Sequence, residues 1–405
     1  MLESIIVLIA VLAGVLIGTI TGITPGIHIN LISALLLSFS SVFLLNFISP
    51  MAIAAFLVSI AITHTFVDFV PSIFLGAPDQ DDTALSVLPG HEMLNQGRAY
   101  EAVIYTLYGS LSALFIIIAF TPIFLYFLPE IYPYAGRIMF FILIVVSFFL
   151  IYSEKKQRIW ALVIFVLSGI LGMATLNLPV KNALLPLFTG LFGVSSLVTS
   201  ISKKQRIPKQ KITSIRNIRL KPKSFFKSIS ASILSSPLCS FLAGLGSGQA
   251  AVIGSEVMGN LDRKEFLVLL GSINTVVTGL SFVTLYSIGK ARTGIAAAIG
   301  EIIPLTPEII LKLTFVIFIS GLLAAIITVF TARFFAKRIS LIDYSKLSKY
   351  IIVFLTVVVF CFSGWLGLLI TAVSACLGLV CIYAGVRRTH LMGCLIIPAI
   401  LLNLL

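Results

Sequence analysis

Several sets of polar residues in this chain are of types that could do chemistry, and each interrupts an apolar stretch. His64 and Asp68 stand four apart, so on a helix they share a face. They could relay a proton, brace each other as an ion pair or hold a cation. Asp79, Asp81 and Asp82 follow Pro78. Carboxylates crowded this closely repel one another and require a bound cation, a basic partner from elsewhere or simply water around an exposed loop. Lys290 and Arg292 flank Ala291, with Thr293 beside them, after a run that carries Asn274. A planar guanidinium fork and a point-charge ammonium suit a carboxylate or a phosphate; the plainer reading is that they mark a helix end. Two glycine-rich breaks complete the inventory: Gly22, Thr24, Pro25 and Gly26 near the start, and Gly244, Gly246, Ser247 and Gly248 past the middle. A third break, at Ser72 and Gly76, precedes Pro78. No His, Cys or acidic set has metal-ligand spacing, and no Ser or Cys sits in a nucleophile motif. Neither a metal nor an organic cofactor is expected, and the chain does not read as an enzyme. An intramembrane enzyme using His64 and Asp68 as acid and base is the remotest alternative.

The elements that must position these residues are membrane helices. Of the 405 residues, 59% are hydrophobic and 11% charged, where a soluble domain carries roughly 25% charged residues. Lipid must therefore be the solvent, and a soluble enzyme is excluded. Residues 4–63 carry no formal charge apart from His28, and Pro25 and Pro50 divide them. Later uncharged runs are 102–128, 138–153, 159–180, 182–200, 229–255, 266–289 and 313–332. The run 351–386 is long enough for two spans with a turn near Ser363 and Gly364, and 391–405 makes a short last segment. The expected fold is an all-α polytopic membrane protein of about 10–12 membrane segments, some broken or re-entrant.

Charge sets the orientation. The net charge is +13, and residues 203–227 alone hold ten Lys and Arg without an acid. No nucleic-acid recognition module accompanies them; basic loops beside apolar runs mark the cytoplasmic side instead. The clusters at 154–158, 203–227, 337–349 and 387–388 all fit that side, where anionic lipid headgroups could also meet them. The N-terminus, with no Lys or Arg before Arg98, is then external. Residues 201–228 form a basic cytoplasmic linker between a first membrane repeat, 1–200, and a second, 229–405.

The halves echo one another. Gly18-Thr19-Ile20-Thr21-Gly22 and Gly244-Leu245-Gly246-Ser247-Gly248 lie in apolar stretches, and Gly76 is echoed by Gly289. Entry from opposite sides makes this an inverted-topology repeat. A helix broken in lipid leaves backbone groups without partners, which is tolerated only against protein or a water-filled cavity. Paired breaks of this kind build the midplane site of secondary transporters, where helix N-termini face an anion and freed carbonyls a cation. Packing is the competing reading, because closely spaced glycines also let helices approach.

The order of these motifs resembles the TctA-type large membrane subunit of the tripartite tricarboxylate transporters. Gly22-Ile23-Thr24-Pro25-Gly26 matches that family's first broken segment. Ser72-Ile73-Phe74-Leu75-Gly76-Ala77-Pro78 looks like its following turn, and Leu88 to Ala102, with Gln96-Gly97-Arg98-Ala99, like the stretch after it. The second half departs further: Gly244 to Gly248 stand for a Pro-Gly-x-Gly turn, and Ser287 to Thr293 replace a Gly-Ile-Pro-Gly-Ser turn. The resemblance implies a cell-membrane permease that moves a small organic anion, a carboxylate such as a tricarboxylate, driven by Na⁺ or H⁺. It also implies a small membrane subunit and an external solute-binding protein as partners, and leaves a homo-oligomer open. On this reading Gly22, Thr24, Pro25, Gly26, Ser72, Gly76, Gly244, Gly246, Ser247, Gly248, Asn274, Lys290, Arg292 and Thr293 form the substrate site. His64, Asp68, Asp79, Asp81 and Asp82 serve the coupling ion or a gate. The alternative is a translocator of an anionic lipid such as a polyprenyl phosphate, which the same cationic breaks would suit.

Overall fold

A computed structural model describes residues 2–24, 49–78, 81–154, 157–180, 182–202, 207–241, 246–259, 261–341 and 344–404. All regular structure among them is helical. Eight helices are long and apolar enough to cross a membrane, and Phe140–Tyr152 and Arg388–Leu402 are shorter apolar helices. The elements are α1 (Leu2–Ile23), α2 (Pro50–Val67), α3 (Phe69–Leu75), α4 (Asp81–Asn95), α5 (Ala99–Tyr152), α6 (Arg158–Asn177), α7 (Leu184–Phe188), a π-helical turn (Thr189–Val194) and α8 (Ser195–Ser202). After the linker come α9 (Pro222–Phe241), α10 (Ser247–Val257), α11 (Arg263–Ile288), α12 (Gly294–Ile302), α13 (Pro307–Arg338), α14 (Tyr344–Tyr383) and α15 (Gly393–Leu404). The turn expected near Ser363 is there: Gly364 takes φ 66°, ψ −162° and divides α14 into two helices.

Side chains sort these helices into wall and core. On α13, Leu322, Ile326, Phe330 and Phe334 repeat every fourth residue and are exposed, an apolar stripe suited to an apolar surrounding rather than water. By contrast α2–α3 and α11 are almost wholly buried. Gly271 on α11 is pressed against the Thr106 carbonyl of α5, and Ser110 donates to the Gly271 carbonyl at 3.0 Å. Small residues replace the hydrophobic effect here, because lipid tails are as apolar as leucine.

Polar contacts sort the helix ends onto two faces. Arg263 at the start of α11 pairs with Glu92 near the end of α4. Lys227 on α9 reaches Glu265 at 3.8 Å and donates to the Gly259 carbonyl past α10 at 3.1 Å. The linker is strapped to this face. Gln210 donates to the Leu94 carbonyl and accepts from the Ala99 N–H, both at 3.0 Å. Arg333, late in α13, donates to the Tyr100 hydroxyl at 3.2 Å. Arg263, Lys227 and Arg333 meet on this side, which is called the basic face below. On the opposite face Lys290 lies 4.8 Å over the Tyr132 ring, and Lys312 at the start of α13 is within electrostatic reach of Glu3.

Two consequences follow. The helical stretch α5 has 54 residues, about 80 Å if straight. It begins at the basic face, passes Tyr132 on the opposite face, and ends where Ser153 donates to Glu256 at the basic face again. The chain therefore reverses beyond Tyr132, which explains the two apolar runs, 102–128 and 138–153, within one helical stretch. Second, α10 lies back along α9, with Gly254 against the Ala231 carbonyl and Ser235. At 11 residues it is about 16 Å long, too short to cross a hydrocarbon core of about 30 Å. The α9–α10 hairpin thus enters from the basic face and returns to it.

Replacing Gly271 by leucine is expected to lower unfolding stability by about 1–3 kcal/mol through overpacking of α5 on α11. The midpoint of unfolding of the purified protein in detergent measures this; an unchanged midpoint contradicts the packing.

Candidate functional site

The polar core begins where α2 gives way to α3. Asp68 stands at that junction and is 1% exposed. Its Oδ2 accepts from the Asn274 side chain of α11 at 3.0 Å, and next to it the hydroxyls of Thr65 and Thr275 meet at 3.3 Å. One turn earlier, His64 Nδ1 and the Thr21 hydroxyl of α1 share a hydrogen bond of 3.1 Å. Farther along α2, Ser320 of α13 donates to Ser59 at 2.8 Å. Gly22 permits this convergence, since a Cβ there would press on Val67 and the Asp68 backbone. The result is a buried seam joining α1, α2, α11 and α13. Each neutral bond in such a seam contributes only ~0.6 kcal/mol on average. A carboxylate at that depth is costly unless hydrogen-bonded, and Asn274 supplies one such bond to Asp68.

Breaks flank the seam. Gly76 adopts the left-handed conformation, φ 66° and ψ 30°, and closes α3 with its N–H on the Ser72 carbonyl. Gly289 does the same for α11, φ 68° and ψ 14°, with its N–H on the Leu285 carbonyl. A side chain at either place would be strained. Each break leads to the N-terminus of a short helix, α4 at Asp81 and α12 at Gly294. Ser72 itself donates to the Asp68 carbonyl at 2.9 Å. Asp82 is fully buried in the first turn of α4, and its carboxylate accepts from the Thr83 N–H at 2.7 Å. An anionic side chain is favoured at that positive helix end. At the other hairpin, extended Gly246 precedes α10 and donates to the Gln249 side chain at 2.6 Å, with Ser247 and Gly248 buried behind it. Helix α10 packs against both α4 and α11.

The structure brings Asp68 to Asn274, Gly22 to the Asp68 turn, and His64 to α1. Lys290, Arg292 and Thr293 lie elsewhere. Lys290 is exposed, 16 residues beyond Asn274, about 24 Å along the helix axis. Thr293 caps α12, accepting from the Ala296 N–H at 3.1 Å. Thr24 ends α1, its hydroxyl donating to the Ile20 carbonyl at 2.8 Å. Pro25, Gly26, Asp79 and Gly244 fall outside the described residues, as does the Asp81 side chain.

A second polar cluster escaped the reading of the sequence, which took Arg387 and Arg388 for a topology signal. Arg387 bridges Glu154 past α5 and Glu256 on α10, each at 3.4 Å, and donates to the Ser153 hydroxyl. His390 Nε2 lies 3.4 Å from the same Glu154 carboxylate. Burial alone would raise the Glu154 carboxyl. The Arg387 backbone N–H and guanidinium and the His390 ring outweigh it and hold the group below the ordinary glutamate range. Arg388 turns the other way, into the protein. The one signal for this cluster was local: charged residues opening the apolar run of α15, where ionisable groups at membrane depth are costly.

Interrupted helices around a buried polar seam, within a polytopic helical chain, define a membrane transport protein. More particularly, the chain belongs to the tripartite tricarboxylate transporter TctA family, whose model matches residues 8–393. An uncharacterized protein of Methanocaldococcus jannaschii is similar, 30% identical over 392 residues that cover 93% of this chain and 94% of that one. No solved structure matches this chain.

Because its carboxyl is depressed in the folded protein, Glu154 contributes stability that is complete above the ordinary glutamate value of 4.5 and is lost as pH falls below it. Thermal unfolding from about pH 7 to about pH 3 is expected to show that acid limb, flattened in Glu154→Gln. An identical limb in the variant would place the acid sensitivity elsewhere.

Proposed function

We propose that the protein is a cation-coupled secondary transporter of a small carboxylate, working by alternating access around the Asp68–Asn274 pair. The observation that carries this reading is that pair itself: a carboxylate and an amide from opposite halves of the chain, sealed together at membrane depth beside a helix break. Intramembrane acids of this kind mark ion pathways. The reading treats residues 1–200 and 229–405 as inverted repeats. In support, α2–α3 and α11 are both 26 residues long and start 213 positions apart, at Pro50 and Arg263. α4 and α12 start the same distance apart, at Asp81 and Gly294. The long helices also run oppositely: α3 ends toward the basic face, where Gly76 meets His91, while α11 leaves it.

The basic face is then cytoplasmic by the excess of Lys and Arg, and the start of α1, with Glu3 in electrostatic reach of Lys312, is external. Lys290 and Arg292, on the external face, would draw an anion toward the entrance, and a solute-binding protein delivering carboxylate there fits the family. A small membrane subunit is the second expected partner, with the exposed apolar wall of α13 as one place for it. Na⁺ or H⁺ would be held at Asp68, with His64 and Asp82 as further oxygen or nitrogen donors along the path. Rocking of one half against the other would break and remake the Asp68–Asn274 bond.

Uptake of labelled citrate into proteoliposomes, driven by an inward Na⁺ or pH gradient, tests this. Asp68→Asn and Asn274→Ala are each expected to reduce uptake at least about tenfold, equivalent to ~1.4 kcal/mol, with protein still inserted. Wild-type rates in both variants would remove the pair from the mechanism.

A further inference from the structure

We infer that Arg388 forms a carboxylate-binding subsite beside the Gly76–Pro78 stretch that follows α3, on the basic-face side of the Asp68–Asn274 pair. The inference rests on the carboxylate reading above and extends it to a residue outside the expected site. Arg388 is 5% exposed. Its two Nη groups are committed: they donate to the Leu191 and Phe192 carbonyls at 2.9 and 3.1 Å and to the Ser195 and Ser196 hydroxyls. The guanidinium also faces the Phe192 ring at 5.4 Å. These contacts tie down a π-helical turn, and they account for the Nη groups alone. Nε–H is buried and has no hydrogen-bond partner among the described residues. The ion pairs described in this region go to Arg387 and His390, and none to Arg388.

Hydroxyls and carbonyls solvate a guanidinium without neutralising it. A buried cation lacking an anion is costly, and the cost is relieved by an anion that arrives as ligand. The surroundings fit an arriving ligand. Gly193, within the same π-helical turn, lies against the break: a Cβ there would be 3.4 Å from the Gly76 carbonyl oxygen and 3.5 Å from Pro78. His91 borders Gly76 and is within electrostatic reach of Arg388. Residues 76–78 are non-helical and enclosed by protein, the setting in which unwound backbone is tolerated at membrane depth. Gly76 lies eight residues from Asp68, about 12 Å along α3, so an anion following that helix would pass from one group to the other. A single N–H matches one carboxylate oxygen, whereas a phosphate dianion would need further donors.

The test is calorimetric binding of citrate, and separately of inorganic phosphate, to the purified full-length protein in nanodiscs. Citrate is expected to bind the wild type, and Arg388→Gln to weaken it at least about tenfold, with Arg388→Lys intermediate. Equal binding by wild type and Arg388→Gln overturns this inference while leaving the Asp68–Asn274 reading intact. A wild type that binds neither anion overturns both, and phosphate binding as tightly as citrate overturns the carboxylate assignment. Asp79 and Asp81 lie beside the break in sequence; restored citrate binding in Asp79→Asn or Asp81→Asn combined with Arg388→Gln would make Arg388 an internal ion-pair partner and overturn the subsite. Because Arg388→Gln could fail to fold, a structure of the wild type with citrate gives the second readout: a carboxylate oxygen within hydrogen-bond distance of Arg388 Nε is expected, and citrate bound only elsewhere overturns the inference.

Discussion

In lipid, a polar group that loses its partner has no water to replace it, and that single constraint organises this protein. Asp68 ends one helix and precedes another at membrane depth, and Asn274 donates to it from α11. The two threonines beside them, the histidine on α1 and the serine on α13 extend the same logic along the seam. Near the seam, protein meets the non-helical backbone: the Gly76 break is covered by His91 and the π-helical turn, and the short helix α10 packs on α4 and α11. The breaks are thus affordable only because the two halves interleave.

That interleaving has a steric basis. The most buried helices, α2–α3 and α11, each pack on the first helix of their own half and on a long helix of the other, α13 and α5. The seam therefore lies between two elements that are each clasped from both sides. Close backbone approach at Gly22 and Gly271 makes the clasp tight. In a transporter of the proposed kind, stiff clasped helices that touch through few hydrogen bonds can move as bodies and exchange partners without unravelling.

The charge clusters divide labour on the basic face. Arg387 holds the end of α5 to the end of α10 through two carboxylates, tying the re-entrant hairpin to the frame. Arg388, its neighbour in sequence, faces inward to carbonyls and hydroxyls. Adjacent residues at a helix entrance project in different directions, so one of them can serve the frame while the other faces the interior.

Composition and the spacing of apolar runs were enough to read an all-helical membrane protein, the break at Gly364 and the glycine pair at Gly76 and Gly289, because lipid forbids most other arrangements of such a chain. Motif order was enough to read the family. What no local pattern could supply was which polar residues meet. Asp68 and Asn274 are 206 positions apart, and Glu154 and Arg387 are 233 apart. Lys290 and Arg292 looked like partners for Asn274 because they follow the run that carries it, yet the rise along α11 carries them to the other face. Arg388 looked like a loop charge because periodicity reports a helix's position in the chain and says nothing of its neighbours. Only the packing of distant helices decides whether a charge meets water, lipid or another charge.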